Sequence, residues 1–172
     1  MGARALRIKP LARLGAVEER GAEQRSLFRR WPAGVSVVVA DVDGRRAGLT
    51  VSSLTSLSLE PRLVGISIAR EASLHELLRE AGEWAASILS GDQAEIAQHF
   101  ARGVPPIALW NGIAVRDDDP RLLQGAVGWV TARTVDHLQT GDHTFFVGEL
   151  QSIEEGAAET SLAYVHRGYV SV

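Results

Sequence analysis

Residues 48–61 read GLTVSSLTSLSLEP, and six of the nine residues from 50 to 58 carry hydroxyl groups. The hydroxyl residues alternate with apolar residues at a period of two, which is typical of an extended strand. Both faces of this pattern change character near Leu54. The stretch therefore predicts a strand that breaks near Leu54 and continues beyond it.

These hydroxyls need hydrogen-bonding partners, because burying one without a partner costs about 1–3 kcal/mol. Six such losses would approach the whole stability of a domain, which is roughly 5–15 kcal/mol. One interpretation is a water-facing strand, rich in threonine because threonine suits strands. The other is a polar lining for a ligand with many donors and acceptors. The residues alone leave both interpretations open.

The composition is that of a single globular domain. The chain has 172 residues, 45% hydrophobic and 23% charged, with a net charge of −3. This charge gives no reason to expect nucleic acid or an acidic membrane as a partner. Cysteine is absent, which excludes disulfides, thiolate nucleophiles and cysteine metal sites. Without a long apolar run or a secretory signal, the expected location is the cytoplasm and no membrane span is expected.

Many short strands and few helices are predicted along the rest of the chain. Asp43-Gly44 is a turn signal that joins the first two strands into a hairpin. Two helices are predicted to begin with capping boxes, Ser73 with Glu76 and Asp92 with Glu95. The predicted strands are 35–40, 47–54, 63–69, 84–89, 126–135, 145–153 and 162–172, and the predicted helices are 22–31, 73–81 and 92–101. This order predicts a mainly β fold, an antiparallel barrel that is closed or partly closed, with helices at its ends.

Two segments fall outside this pattern. Residues 1–21 are basic, weakly patterned and broken by Pro10 and Gly15, so we expect an N-terminal arm distinct from a domain at 22–172. The arm has three interpretations: packing on a partner subunit, a disordered tail, or a transit-type sequence. Residues 105–120 are predicted to be a loop.

Few motifs for other chemistries are present. The sequence has no glycine-rich phosphate loop and no nucleophile elbow, and its five histidines lack metal-ligand spacing. The helix predicted at Ser73, with Ser67 and Arg70 before it, is either an anion site or a plain capped surface helix. His143, which follows a turn, could be catalytic, bind a ligand, or only hydrogen-bond that turn.

Four stretches together resemble the flavin reductase family with the FMN-binding split-barrel fold. They are FRRWPAGVSVVV at 28–39, GLTVSSLTSLSLEPRLVGISIAR at 48–70, GDHTFFVGEL at 141–150 and YVHRGY at 164–169. The resemblance implies an antiparallel split β-barrel that forms a homodimer, with the flavin near the subunit interface. It also implies an enzyme that uses NADH or NADPH to reduce FMN or FAD, by hydride transfer from nicotinamide C4 to flavin N5. Many members supply reduced flavin to a partner monooxygenase.

The resemblance also implies roles for residues of this chain. The residues expected to contact the flavin are Ala33, Gly34, Val35, Thr50, Val51, Ser52, Ser53, Thr55 and Ser56. Those expected near its phosphate are Ser67, Arg70 and Ser73, and those expected near the nicotinamide are His143, Arg167 and Tyr169. His143 is the candidate catalytic residue, with an orienting or electrostatic role. No metal is expected.

Two other functions remain open from the sequence. One is a split-barrel oxidoreductase that retains its flavin and acts on an organic substrate. The other is a flavin-binding or electron-carrier protein without a nicotinamide site. The choice between FMN and FAD is left open by departures from the family pattern at Ala33 and around Glu71.

Overall fold

The computed structural model describes residues 14–103 and 108–172. Within these residues the chain forms three α-helices and ten β-strands. In chain order they are α1 (Leu14–Phe28), β1 (Ala33–Gly34), β2 (Ser36–Val42), β3 (Arg45–Val51), β4 (Thr55–Leu59), β5 (Arg62–Ala69), α2 (Ser73–Ala81), β6 (Glu83–Ile88), α3 (Ala94–Ala101), β7 (Gly128–Thr140), β8 (His143–Glu155), β9 (Leu162–Val165) and β10 (Gly168–Ser171). None of the described helices is long and apolar enough to span a membrane.

The strands form two antiparallel sheets. Seven strands are ordered β3-β2-β6-β7-β8-β5-β4, and three are ordered β1-β9-β10. The β2–β3 hairpin turns at Asp43 and Gly44, whose φ angles of 51° and 80° suit the turn that an Asp-Gly pair favours. The predicted mainly β, antiparallel architecture with short helices is therefore confirmed.

Two hydrophobic clusters lie on opposite faces of β2. Val38 and Ala40 face the inside of the curved sheet, where Ile66, Phe146 and Leu74 of α2 join them. The alternate residues of β2 face the other way and pack with α3 and the 109–123 segment. Because β2 is buried on both faces, its sequence is a continuous apolar, β-branched run, and the strand lies between the two clusters.

The hydroxyl-rich run breaks where its pattern changes. β3 ends at Val51 and β4 begins at Thr55, so residues 52–54 form the corner between them. On β3 the alternation holds, because Val51 is buried in the inner cluster while Thr50 faces α3. On β4 it does not produce a buried face, since Leu59 is 83% exposed in the chain.

Both predicted capping boxes are wrong. The N-cap of α2 is Ala72, and no side chain caps this helix. Glu76 instead accepts a contact from the ring of His75. The N-cap of α3 is Gln93, again without a side-chain cap bond, and Asp92 accepts from the Ser90 hydroxyl at 2.6 Å. Glu76 and Asp92 instead contact His75 and Ser90, side chains one and two residues away in the chain.

The C-terminal segment is two strands and not the single strand predicted over 162–172. His166 and Arg167, with φ angles of 50° and 66°, turn the chain between β9 and β10. The His166 amide donates to the Arg29 carbonyl at 2.6 Å, which holds the turn against the end of α1. This β9–β10 hairpin places residues 164 and 169 side by side.

Several boundaries of strands and helices in the structure differ from the predicted ones. β7 and β8 run to the turn at 141–142 because they pair along their whole length, interrupted by two bulges. Helix α1 begins at Leu14, so the predicted boundary between arm and domain falls inside a continuous helix. Residues 1–13 of the predicted arm and the start of the predicted 105–120 loop lie outside the described residues. A separate role for the arm stays a prediction.

Candidate functional site

A cavity of about 420 Å³ opens between the end of β3 and the β9–β10 hairpin. This volume is within the usual range for small-molecule sites, about 300–1,000 Å³. Its lining includes six of the residues that the sequence predicted for a site: Val35, Thr50, Val51, Ser52, Arg167 and Tyr169. The fold thus brings together residues that are up to 134 positions apart in the chain. We call this the β3–hairpin cavity.

Two tyrosines form one wall of the β3–hairpin cavity. Tyr164 and Tyr169, the only tyrosines of the chain, face each other across the β9–β10 ladder with ring centroids 5.2 Å apart. Burial, and then the neighbouring Tyr164, raise the pKa of Tyr169 above its usual value. The wall therefore presents neutral aromatic surface, and among the described lining residues Arg167 supplies the positive charge.

The opposite wall depends on a bond between β3 and α3. The Thr50 hydroxyl donates to the Ala97 carbonyl at 2.7 Å. This bond holds α3 against the strand and places Gln98 and Ala101 at the cavity. Thr50 was predicted to contact a ligand, but its hydroxyl proton is used within the protein. The two lone pairs of its oxygen and the backbone of β3 are what it can offer to a ligand.

Ser53 has a structural partner that the sequence did not indicate. Its hydroxyl accepts a bond from the Ser67 amide at 3.0 Å and donates to the Ser67 carbonyl at 3.1 Å. One side chain thus pairs with the backbone of β5 as a neighbouring strand would. The bond joins the corner after β3 to β5 and helps to close the barrel. It links two predicted site residues, and most of the Ser53 hydroxyl's bonding capacity is already used.

The other four predicted flavin contacts are not part of the lining of the β3–hairpin cavity. Ala33 and Gly34 form β1, which pairs with Tyr164 and Ala163 of the hairpin. Thr55 and Ser56 are exposed on β4, the last strand of the large sheet. Contact between these four residues and a ligand stays a prediction.

His143 and Arg70 lie together at a different place from the cavity lining. His143 pairs with Ala69 in the ladder, and the Arg70 amide donates to the Asp142 carbonyl at 2.9 Å. The His143 Nδ1 contacts the Asp142 carboxylate at 2.7 Å, and this bond lowers the pKa of Asp142. The histidine is held by its turn, with 42% of its side chain exposed. The catalytic role of His143 stays a prediction.

Ser73 is the first residue of α2 and is exposed. It lines a separate pocket with Arg45, Glu76 and Glu80. The lining also includes Asp41, and its three carboxylates are unfavourable for an anion, although a helix N-terminus is favourable. A phosphate contact of Ser73 stays a prediction.

The sequence missed several residues of the site. The lining of the β3–hairpin cavity also includes Gln98, Ala101, Tyr164 and Gly168. A neighbouring cavity of about 650 Å³ shares Gln98 and Tyr169 with it. Tyr164 carried a detectable signal, because it is the second of only two tyrosines and lies near Tyr169 in sequence. The two α3 residues, Gln98 and Ala101, carried no such signal in the sequence, because only the packing of α3 on β3 brings them to the cavity.

Comparison with known proteins assigns the family. A family model for the flavin reductase like domain matches residues 28–172. The chain belongs to this family. It is 34% identical over 145 residues to the reductase component of 4-hydroxyphenylacetate 3-monooxygenase from Thermus thermophilus, covering 84% of this chain and 92% of that one. It is 32% identical over 145 residues to an NADH:FMN oxidoreductase from Rhodococcus qingshengii, covering 82% and 74%.

A solved structure gives the same result. The NADH:FAD oxidoreductase of Streptomyces globisporus superimposes with a TM-score of 0.81 and 28% identity, covering 93% of this chain and 97% of that one. The predicted family, the split-barrel fold and the predicted enzyme class, a flavin reductase, are thereby confirmed. The individual site residues rest on the geometry described above.

Proposed function

We propose that the β3–hairpin cavity binds the flavin ring and the nicotinamide, and that the enzyme reduces FMN or FAD with NADH or NADPH for a partner monooxygenase. One observation carries this proposal. The end of the hydroxyl-rich strand and the hairpin that carries Arg167 and Tyr169 face one cavity. Those two stretches were predicted separately to contact the flavin and the nicotinamide.

The chemistry of the lining fits a flavin. An isoalloxazine ring has flat apolar faces and a polar edge, and its ribityl chain carries hydroxyls. The lining offers the rings of Tyr164 and Tyr169, the exposed Ser52, the backbone of Val51, and the guanidinium of Arg167. A bound flavin would supply the redox chemistry, while these residues bind and orient it. No protein nucleophile is required.

The neighbouring cavity favours a ligand longer than the ring alone. It meets the β3–hairpin cavity at Gln98 and Tyr169, and it adds Arg102 of the α3 terminus. An adenosine portion, from FAD or from the nicotinamide nucleotide, suits this extension. Two of the named relatives are NADH oxidoreductases, one for FMN and one for FAD, and we expect NADH to be the better donor here.

We further propose that the enzyme is a cytoplasmic homodimer and that the second subunit completes the site. Five large apolar side chains are exposed on β4, β7 and β8 in the single chain: Leu57, Leu59, Val135, Leu138 and Ile153. Exposed apolar side chains on three strands of one sheet are candidates for a subunit interface. The predicted contacts Thr55 and Ser56 lie on β4 as well, so an interface there would cover them. Sedimentation analysis should give twice the chain mass of 18.5 kDa.

Steady-state kinetics test the activity. Purified protein is mixed with FMN or FAD and with NADH or NADPH, and loss of the nicotinamide absorbance is followed against a blank without enzyme. We expect flavin-dependent oxidation, with a measurable KM for added flavin because the flavin is released. Tyr169→Ala should raise the KM for NADH by about 10-fold or more through loss of ring contact. Absence of flavin-dependent turnover with all four pairs would contradict the proposal.

The same measurements separate two alternatives. A protein that stays yellow through purification and oxidises NADH slowly would retain its flavin and act on another substrate. A protein that binds flavin without oxidising either nucleotide would be a carrier. Release of reduced flavin is tested by adding a flavin-dependent monooxygenase across a dialysis membrane.

A further inference from the structure

The last two turns of α1 are exposed to solvent. All seven residues from Ala22 to Phe28 are exposed, and within the described part of the chain no strand or other helix packs extensively against α1. The Arg29 carbonyl accepts the His166 amide at 2.6 Å, which ties the end of the helix to the β9–β10 turn. Arg167, the next residue of that turn, lines the β3–hairpin cavity. The helix is thus attached at its C-terminal end, beside the site, and its last two turns are uncovered.

A helix of this kind needs something to pack against. α1 has 15 residues, and Gly21 lies in its interior. Isolated helices shorter than about 12–15 residues are marginal in water, and an interior glycine lowers helix stability further. Most of the stability of helices in proteins comes from packing of one face. Since the described chain does not supply this packing for the last two turns, we expect another molecule to supply it.

Three large apolar side chains indicate where that contact lies. Leu27 is 67% exposed, Phe28 is 60% exposed and Trp31 is 71% exposed. The Trp31 amide donates to the Phe28 carbonyl at 3.1 Å, so the chain makes one more turn beyond α1. Residues three and four apart on successive turns are neighbours, which brings Trp31 beside the other two. We call these three residues the α1 patch, and clustered exposed apolar side chains of this kind mark interaction sites.

The charge of the chain is divided unevenly between α1 and the rest. Residues 1–30 contain eight arginines and lysines and three glutamates, which is a net charge of +5. Residues 31–172, which we call the body, contain ten arginines and eighteen acidic residues, which is a net charge of −8. Two parts with opposite charge attract each other when they belong to different copies of the chain. The body of a second copy therefore has the charge that complements α1.

We propose that α1 docks on the body of a second copy of this chain, and that the α1 of the second copy docks in return. The α1 patch then gains the apolar contact that its own chain does not supply, and the basic segment meets an acidic surface. Exchange of an identical element between two copies is a low-cost way to build a dimer. The inference rests on the proposed homodimer, but it uses a surface other than the exposed apolar residues of β4, β7 and β8.

Site-specific cross-linking tests the docking directly, because the chain has no cysteine and an introduced thiol is unique. Ser26→Cys places a thiol on the exposed part of α1. Ser73→Cys is the matched control, since Ser73 is also an exposed serine of a helix, α2. Each variant is labelled with a thiol-reactive photo-crosslinker and irradiated. Denaturing electrophoresis then separates links within one chain from links between two, and mass spectrometry identifies the linked peptides.

We expect Ser26→Cys to give a product of twice the chain mass of 18.5 kDa, and Ser73→Cys to give much less. The linked peptides should come from the body of the second copy. Three results would overturn the proposal: links confined to one chain, a yield no higher than that of the control, or links between the two α1 helices. Retention of the labelled protein on vesicles of anionic lipid, without links between chains, would also overturn it and assign α1 to a membrane surface.

Two leucine variants separate this contact from the proposed sheet interface. Leu27→Ser removes an apolar side chain from the α1 patch, and Leu59→Ser removes one from β4, where Leu59 is also exposed. Thermal melts check that both fold. We expect Leu27→Ser to raise the dimer dissociation constant by about 10-fold or more in sedimentation experiments over a range of concentrations. An unchanged constant would overturn the docking of α1, whereas an unchanged constant for Leu59→Ser would count only against the sheet interface.

The charge contribution is tested by reversing two exposed arginines, Arg25→Glu with Arg30→Glu. The control keeps the charge, with lysine at both positions. We expect the reversed pair to raise the dissociation constant by about 10-fold, the lysine pair to stay within about twofold, and added salt to weaken the wild-type dimer. Equal constants for the two pairs would contradict the proposal. A wild-type protein that is monomeric but oxidises NADH with flavin would overturn the docking and leave the proposed activity standing.

Discussion

Replacing Ser53 by alanine tests the link that joins the β3–β4 corner to β5. The Ser53 hydroxyl makes two bonds to the backbone of Ser67, at 3.0 and 3.1 Å. Each such bond contributes about 0.5–1.5 kcal/mol, so Ser53→Ala should cost about 1–3 kcal/mol of unfolding free energy. That is a large part of the roughly 5–15 kcal/mol that stabilises a domain.

Urea unfolding at a fixed protein concentration measures this loss. With a slope of about 2 kcal/mol per molar urea, a loss of 2 kcal/mol moves the midpoint down by about 1 M. Ser53→Thr is the control, because it keeps the hydroxyl and should remain near the wild-type midpoint. Flavin affinity should change less than stability, since the hydroxyl proton is already donated to Ser67.

A midpoint for Ser53→Ala within about 0.2 M of the wild-type value would refute this reasoning. The hydroxyl would then be replaceable by water at the corner. A large loss of flavin affinity without any loss of stability would instead return Ser53 to the role of a direct ligand contact.

Two further predictions concern the nicotinamide side of the site. His143→Ala should raise the KM for NADH more than the dissociation constant for flavin, measured by stopped-flow and fluorescence titration; equal NADH kinetics would remove His143 from the site. Burial, and to a smaller extent the neighbouring Tyr164, raise the pKa of Tyr169 above its usual value of 10.0. The stabilisation of the folded state that follows from this shift is complete below pH 10.0 and is lost as the pH rises through the raised pKa. Unfolding between pH 8 and 12 should show this loss in the wild type but not in Tyr169→Phe, and identical profiles would contradict it.

Much of the fold was predictable because its signals are local. The alternation on β3, the break near Leu54 and the Asp43-Gly44 turn are set by side-chain direction and backbone preference over a few residues. The end of α2 at Gly82 is another such signal, since this glycine adopts a φ of 67° that other residues rarely take. These features recurred in the structure at or near the expected positions.

Features with competing partners were not predictable in the same way. The spacing of Ser73 and Glu76 matches a capping box, yet Glu76 contacts its neighbours His75 and Arg79 on the same helix. The turn at His166 and Arg167 lacks glycine at both positions with positive φ, so no local signal divided the last strand. A bond from His166 to Arg29 holds that turn in place.

The sequence by itself determined an antiparallel barrel rich in hydroxyls, and its motifs were sufficient to identify the family. Only the tertiary structure decided which hydroxyls remain for a ligand. Thr50 and Ser53 bond to Ala97 and Ser67, whereas Ser52 lines the cavity. The physical reason is that a hydroxyl's partner depends on what other parts of the chain bring beside it, and strand alternation specifies only which way the hydroxyl points.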